Sequence, residues 1–101
     1  MMAVQIFAAE EKRGENLARE LAGIAGEYAD DKEERTKRLL VIGPTPAAIG
    51  KIQDVFRFVF YVKYENYDKL IEIKDRLEER VQSMQLKEES MQIDFDPVNA
   101  F

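Results

Sequence analysis

Apolar residues recur along this chain with two periods, and the period changes from segment to segment. Over Ala3–Ala8, Val4 and Ile6 alternate weakly with Gln5 and Phe7. This predicts a short strand that is largely apolar on both faces. From Glu10 to Tyr28 the spacing of Leu17, Leu21, Ile24 and Tyr28 is helical and predicts one apolar stripe. Glu10 and Glu11 stand at its start, where the helix dipole favours negative charge. Gly14, Gly23 and Gly26 each cost a helix up to ~1 kcal/mol against alanine, so its ends are weakly defined. Residues 30–37 form a charge run and predict a solvated loop or a frayed helix end.

Arg38–Ile42 is a compact strand signal. Gly43-Pro44-Thr45-Pro46 follows and is expected to end it as a rigid strand exit, because neither proline can donate to a sheet ladder. Ala47–Lys51 then reads as a single helical turn. Val55–Tyr64 is the strongest strand pattern in the chain, with Phe56, Phe58, Phe60 and Val62 on one side. Val55, Arg57, Val59, Tyr61 and Lys63 lie on the other. Glu65 or Asn66 can cap a second helix running to about Met84, with Leu70, Ile73, Leu77, Val81 and Met84 as its stripe. Met91, Ile93 and Phe95 alternate with Gln92, Asp94 and Asp96 in a last strand that Pro97 ends.

The predicted order is β-α-β-β-α-β. Its fold class is α+β, a ferredoxin-like sandwich with two helices on one face of a four-stranded antiparallel sheet. The first and third strands should be central, because they are apolar on both sides; the second and fourth should be edges. If the Phe56–Phe58–Phe60 side packs under the helices, the open face presents Arg57, Tyr61 and Lys63.

The 101 residues suit one domain, 1–101, and a 46% hydrophobic content suffices for a core. With no cysteine and no histidine, the chain cannot form disulfides, Cys/His zinc sites, thiol nucleophiles or Ser-His-Asp triads. No apolar run approaches the ~20 residues a membrane span needs, so no membrane association is expected. The net charge of −5 argues against tight, unaided DNA binding. That charge is unevenly spread. Residues 37–63 carry Lys37, Arg38, Lys51, Arg57 and Lys63 against Asp54 alone, a local net of +4 between two acidic segments.

Three stretches together carry a resemblance. Val41-Ile42-Gly43-Pro44-Thr45-Pro46-Ala47-Ala48-Ile49, followed by Lys51-Ile52, resembles the strand-Gly-Pro-x-Pro-Ala-Pro-Ile-x-Lys-Ile turn of the C-terminal domain of primosomal protein N′, the replication-restart helicase PriA. Phe56-Arg57-Phe58 is similar to that family's Tyr-Arg-Tyr/Trp strand opening. Ile93-Asp94-Phe95-Asp96-Pro97 is similar to its Ile-Asp-Val-Asp-Pro ending. Residues 38–101 carry the likeness well; the first strand and helix carry it loosely. Ala48 stands where a second proline is usual, and Gln53-Asp54 where a basic residue is common. Tyr67 and Ile71 replace the Arg and Gln that some family members offer to the acidic tail of single-stranded DNA-binding protein.

The resemblance implies a non-catalytic docking domain of a bacterial, ATP-dependent 3′→5′ DNA helicase that acts in the cytoplasm to restart stalled forks and assemble the primosome. The implied partners are branched or single-stranded DNA, single-stranded DNA-binding protein, other primosome proteins and the parent's other domains. ATP, magnesium and zinc would belong to those other domains: this chain has no nucleotide-binding Gly-x-x-x-x-Gly-Lys-Ser/Thr loop, and it is expected to carry no cofactor and no enzymatic activity.

The candidate site is the positive segment. Lys51, Arg57 and Lys63 are expected to contact phosphates, with Tyr61 stacking on a base, a pattern that open sheets use for single strands. The same residues also suit an ordinary solvated sheet face. Gly43, Pro44 and Pro46 are expected to be structural, a turn that places Lys51, since two prolines remove N–H donors that a phosphate cradle needs. Asp94 and Asp96 lack a third ligand and read as edge-strand charges that discourage sheet-to-sheet pairing. Two other functions stay open: a small-molecule-sensing regulatory module, and an RNA-binding protein of ribosomal type.

Overall fold

The computed structural model describes residues 1–29, 39–52, 55–86 and 89–95. Alternation decides which side of each strand is buried. β1 (Met2–Ala8) turns Met2, Val4, Ile6 and Ala8 to one side, where all four are fully buried. β3 (Val55–Lys63) pairs antiparallel with it, setting Phe60 opposite Val4 and Phe58 opposite Ile6. β4 (Glu89–Phe95) pairs antiparallel along the other edge of β1, with Ile93 opposite Val4 and Met91 opposite Ile6. β2 (Leu40–Ile52) lies outside β3. The order across the sheet is β2-β3-β1-β4, so the two strands apolar on both faces are central and β2 and β4 are edges. The expected α+β ferredoxin-like arrangement is the observed one.

Both helices, α1 (Glu11–Ala29) and α2 (Tyr67–Met84), cover the side that carries this apolar row. α1 inserts Leu17, Ala18, Leu21, Ala22 and Ala25; α2 inserts Leu70, Ile73 and Leu77. Ile24, Tyr28, Val81 and Met84, also in the predicted stripes, pack on the rim of this core. Each large side chain fully removed from water contributes about 1.5–3 kcal/mol. Asn66 caps α2 by accepting the Lys69 N–H at 3.2 Å, and Gln85 ends it in the left-handed conformation at φ 52°.

One expectation is corrected. β2 does not end at Gly43, and Ala47–Lys51 is not a helical turn: the strand runs from Leu40 to Ile52. Its pairing with β3 shifts register between Ile42 and Thr45, and again between Pro46 and Lys51, then resumes with Lys51 opposite Phe56. The shifts absorb the prolines, which an edge strand tolerates because only one of its sides must supply ladder donors. The bend is tight. Gly43 has φ 100° with a cis peptide to Pro44, and a Cβ placed on it would lie 3.0 Å from the Val59 carbonyl oxygen. Only glycine combines that φ with that approach at low cost. Gly43, Pro44 and Pro46 therefore shape the interior of β2 and do not form an exit from it. The predicted loop at 30–37, together with Gln53, Asp54, Asp96 and Pro97, lies outside the described residues.

Candidate nucleic-acid interface

The packed side of the sheet fixes the other. With Phe58, Phe60 and Val62 buried under the helices, Val55, Arg57, Val59, Tyr61 and Lys63 must point to the helix-free face. The strand pairings lay out that face in rows. Leu40 stands beside Lys63. Ile42, Tyr61, Ala3 and Asp94 form the next row. Thr45, Val59, Gln5 and Gln92 follow, then Arg57, Phe7 and Ser90. Three of the four predicted site residues thus share one strand face, spaced two and four residues apart. Tyr61 and Arg57 are half-buried, whereas Lys63 is exposed. Lys51 returns to the sheet edge opposite Phe56; its side chain lies outside the described residues.

Cations in the two layers are treated differently. In the helices, Arg19 pairs with Glu15 at 2.7 Å, Lys74 with Glu78 at 2.8 Å, and Arg80 with Glu20 at 2.6 Å. Such exposed pairs contribute little stability, but they neutralise local charge. No such pair is seen among the described residues for Arg57 or Lys63. The Arg57 Nε is shielded from water and has no hydrogen-bond partner. Leaving such a donor unsatisfied costs about 1–3 kcal/mol. Acidic charge lies at the far edge of the face, where Asp94 of β4 sits half-buried. The face is therefore polarised, basic on β3 and acidic on β4.

Sequence reasoning missed the apolar part of this face. Leu40 is 54% exposed and Ile42 51%, both on the open side of β2, and Val55 is exposed at the start of β3. The signal was the unbroken apolar run Leu39-Leu40-Val41-Ile42. Leu39 is buried and Val41 packs on the core, so the two alternate residues of an edge strand had to face outward.

The model of the primosomal protein N C-terminal domain matches residues 1–98. The chain belongs to that family. Membership ties it to the primosome and to DNA replication restart, and fits a small, non-catalytic domain. Comparison with curated proteins gives no match. Tyr67 opens α2; the residue is 51% exposed, and its ring is tilted against Phe95 at 5.2 Å between centroids.

Among the described residues, no three Asp or Glu side chains cluster as a metal site, and the chain has no Cys or His. No described helix is long and apolar enough to cross a membrane.

Proposed function

We propose that this domain is a non-catalytic docking module of a replication-restart helicase, working in the cytoplasm, and that its open sheet face contacts DNA at the branch point of a stalled fork. Lys63 and Arg57 supply phosphate contacts with Tyr61 between them on β3, and Lys51 of β2 is proposed as a further phosphate contact. The observation that supports this most directly is the contrast in pairing. Arg19, Lys74 and Arg80 in the helix layer are neutralised by neighbouring carboxylates, whereas no carboxylate among the described residues pairs with Arg57 or Lys63 on β3. Phosphate contacts fix position without reading sequence, which suits a protein that acts wherever a fork stalls. The chain's net charge of −5 keeps the isolated contact weak, so the ATP-driven core of a parent helicase and the domains beside it would provide most of the affinity. Other primosome proteins, single-stranded DNA-binding protein among them, are the proposed protein partners.

Titrating the chain with a forked oligonucleotide over a range of salt tests the reading. Binding at low salt that weakens as salt rises, and that Arg57→Ala reduces, is expected. Absence of binding at low salt, in both the parent chain and Arg57→Ala, would overturn the DNA role.

A further inference from the structure

Phosphate contact alone leaves the apolar residues of the open face without a purpose. Four large hydrophobics are prominently exposed among the described residues: Leu40, Ile42, Val55 and Tyr67. Three of them lie on the β2–β3 half of one sheet face, the half that carries Arg57 and Lys63. Single exposed hydrophobics are ordinary; Leu40 and Ile42 are neighbours opposite Lys63 and Tyr61, with Val55 at the other end of β3, and an apolar strip beside cations that no described carboxylate pairs marks a binding surface.

We infer that this half-face is a platform for unpaired nucleobases, with Leu40, Ile42, Val55 and Tyr61 as its floor, so that the element it takes at a fork is the single-stranded arm. The inference rests on the DNA reading above and narrows it. Leu40 pairs with Lys63 across the strands, and Ile42 with Tyr61. Such directly opposed side chains have Cβ atoms about 4.5–5.5 Å apart. Along β3 the open face runs Lys63, Tyr61, Val59, Arg57 and Val55, so positive charge is interleaved with aromatic and apolar surface, as phosphate is with base along a strand.

Width argues against a duplex. Four strands spaced about 4.8 Å apart span roughly 14 Å of backbone alone, more than the ~12 Å major groove, which admits a helix or a two-stranded ribbon. A flat encounter would meet only a duplex's sugars and phosphates, to which Leu40 and Ile42 offer nothing. An unpaired strand exposes ring faces, for which apolar and aromatic side chains are suitable partners. Asp94 on the far row repels phosphate and holds the strand on the β2–β3 side.

Fluorescence anisotropy with three probes of equal length tests this: a mixed-sequence single strand, the corresponding duplex, and a single strand of abasic sites. The abasic strand keeps phosphates and flexibility but has no rings. The normal single strand should bind about tenfold more tightly than either of the others, in keeping with the usual strength of base stacking. In a Leu40→Ser/Ile42→Ser double variant, confirmed as folded by circular dichroism, the ratio of single-strand to abasic affinity should fall toward one. Equal binding of the abasic and normal strands, a preference for duplex, or an unchanged ratio in the double variant would each overturn the platform while leaving a phosphate-docking role intact. No binding of any probe at low salt would overturn both, and would leave the face to a protein partner.

Discussion

Gly14 of α1 lies directly against the ring of Phe58 in β3. A Cβ on residue 14 would meet Phe58 Cε2 at 2.9 Å and the Ala8 Cβ at 2.9 Å. Phe58 is 4% exposed and Ala8 fully buried, so neither can move aside freely. This close approach lets the first turns of α1 seal the aromatic row of β3, and a sealed row holds Arg57, Tyr61 and Lys63 on the opposite face. Gly14→Ala gains up to ~1 kcal/mol of helix propensity but overpacks the helix–sheet contact, which typically costs about 1–3 kcal/mol. The net expectation is destabilisation by about 1 kcal/mol, a fall in Tm on the order of 4–8 °C for a domain of this size. Gly23 has no atom within 4 Å of its would-be Cβ, and Gly23→Ala should raise Tm instead. Thermal melts of the two variants should therefore shift in opposite directions; a shared direction would show that Phe58 and Ala8 do not restrict residue 14.

How much of this architecture could be read from the residues depended on how local the cause was. β1 and β3 were legible as central strands because Val4, Ile6, Phe58, Phe60 and Val62 demand burial whatever surrounds them. The place of Arg57 on the helix-free face was legible by alternation with Phe56 and Phe58, but the burial of its Nε without a partner was not. The course of β2 was not. A rule that sees a proline as a missing donor predicts a stop at Pro44. It has no knowledge of the nine-residue partner β3, whose pairing resumes beyond the irregularity. The outward residues Leu40 and Ile42 were hidden for a related reason: a continuous apolar run carries no period, so its exposed side is set only by the neighbour it pairs with.

Tyr28, near the end of α1, gives the fold a pH dependence of its own. Burial raises its phenol pKa above the usual 10.0, and the nearby Glu72 carboxylate adds to the effect, while Arg76 and Lys69 oppose it. The Lys69 ammonium sits 5.4 Å from the centre of the ring. A group that holds its proton more tightly when folded stabilises the native state below its unfolded pKa. That contribution is lost as pH rises from about 10 through the folded value. Stability should therefore decline above pH 10 more steeply in the parent chain than in Tyr28→Phe, which has no phenol to ionise. Denaturant titrations at several alkaline pH values measure the difference. Parallel pH profiles for the two proteins would show that the phenol ionises equally easily in both states.

Arg57 allows binding to be separated from folding. Its Nε is buried without a hydrogen-bond partner, in a row with Phe7 on β1 and on the same strand face as Val55 and Val59. A methionine there keeps a long flexible stem against these neighbours and removes the unsatisfied donor. Because an unpaired buried donor costs about 1–3 kcal/mol, Arg57→Met should hold or raise stability, by up to about 1 kcal/mol once the lost packing of the guanidinium is discounted. The same change removes one phosphate contact. Affinity for an oligonucleotide should fall, and the slope of log affinity against log salt should become shallower by about one. A stability kept at a functional cost is the usual mark of a residue retained for its site. Melting curves and a salt series on one preparation read both quantities. If Arg57→Met lost stability and kept its salt slope, Arg57 would be a structural residue of the sheet, and phosphate contact would have to be assigned to Lys63 and Lys51.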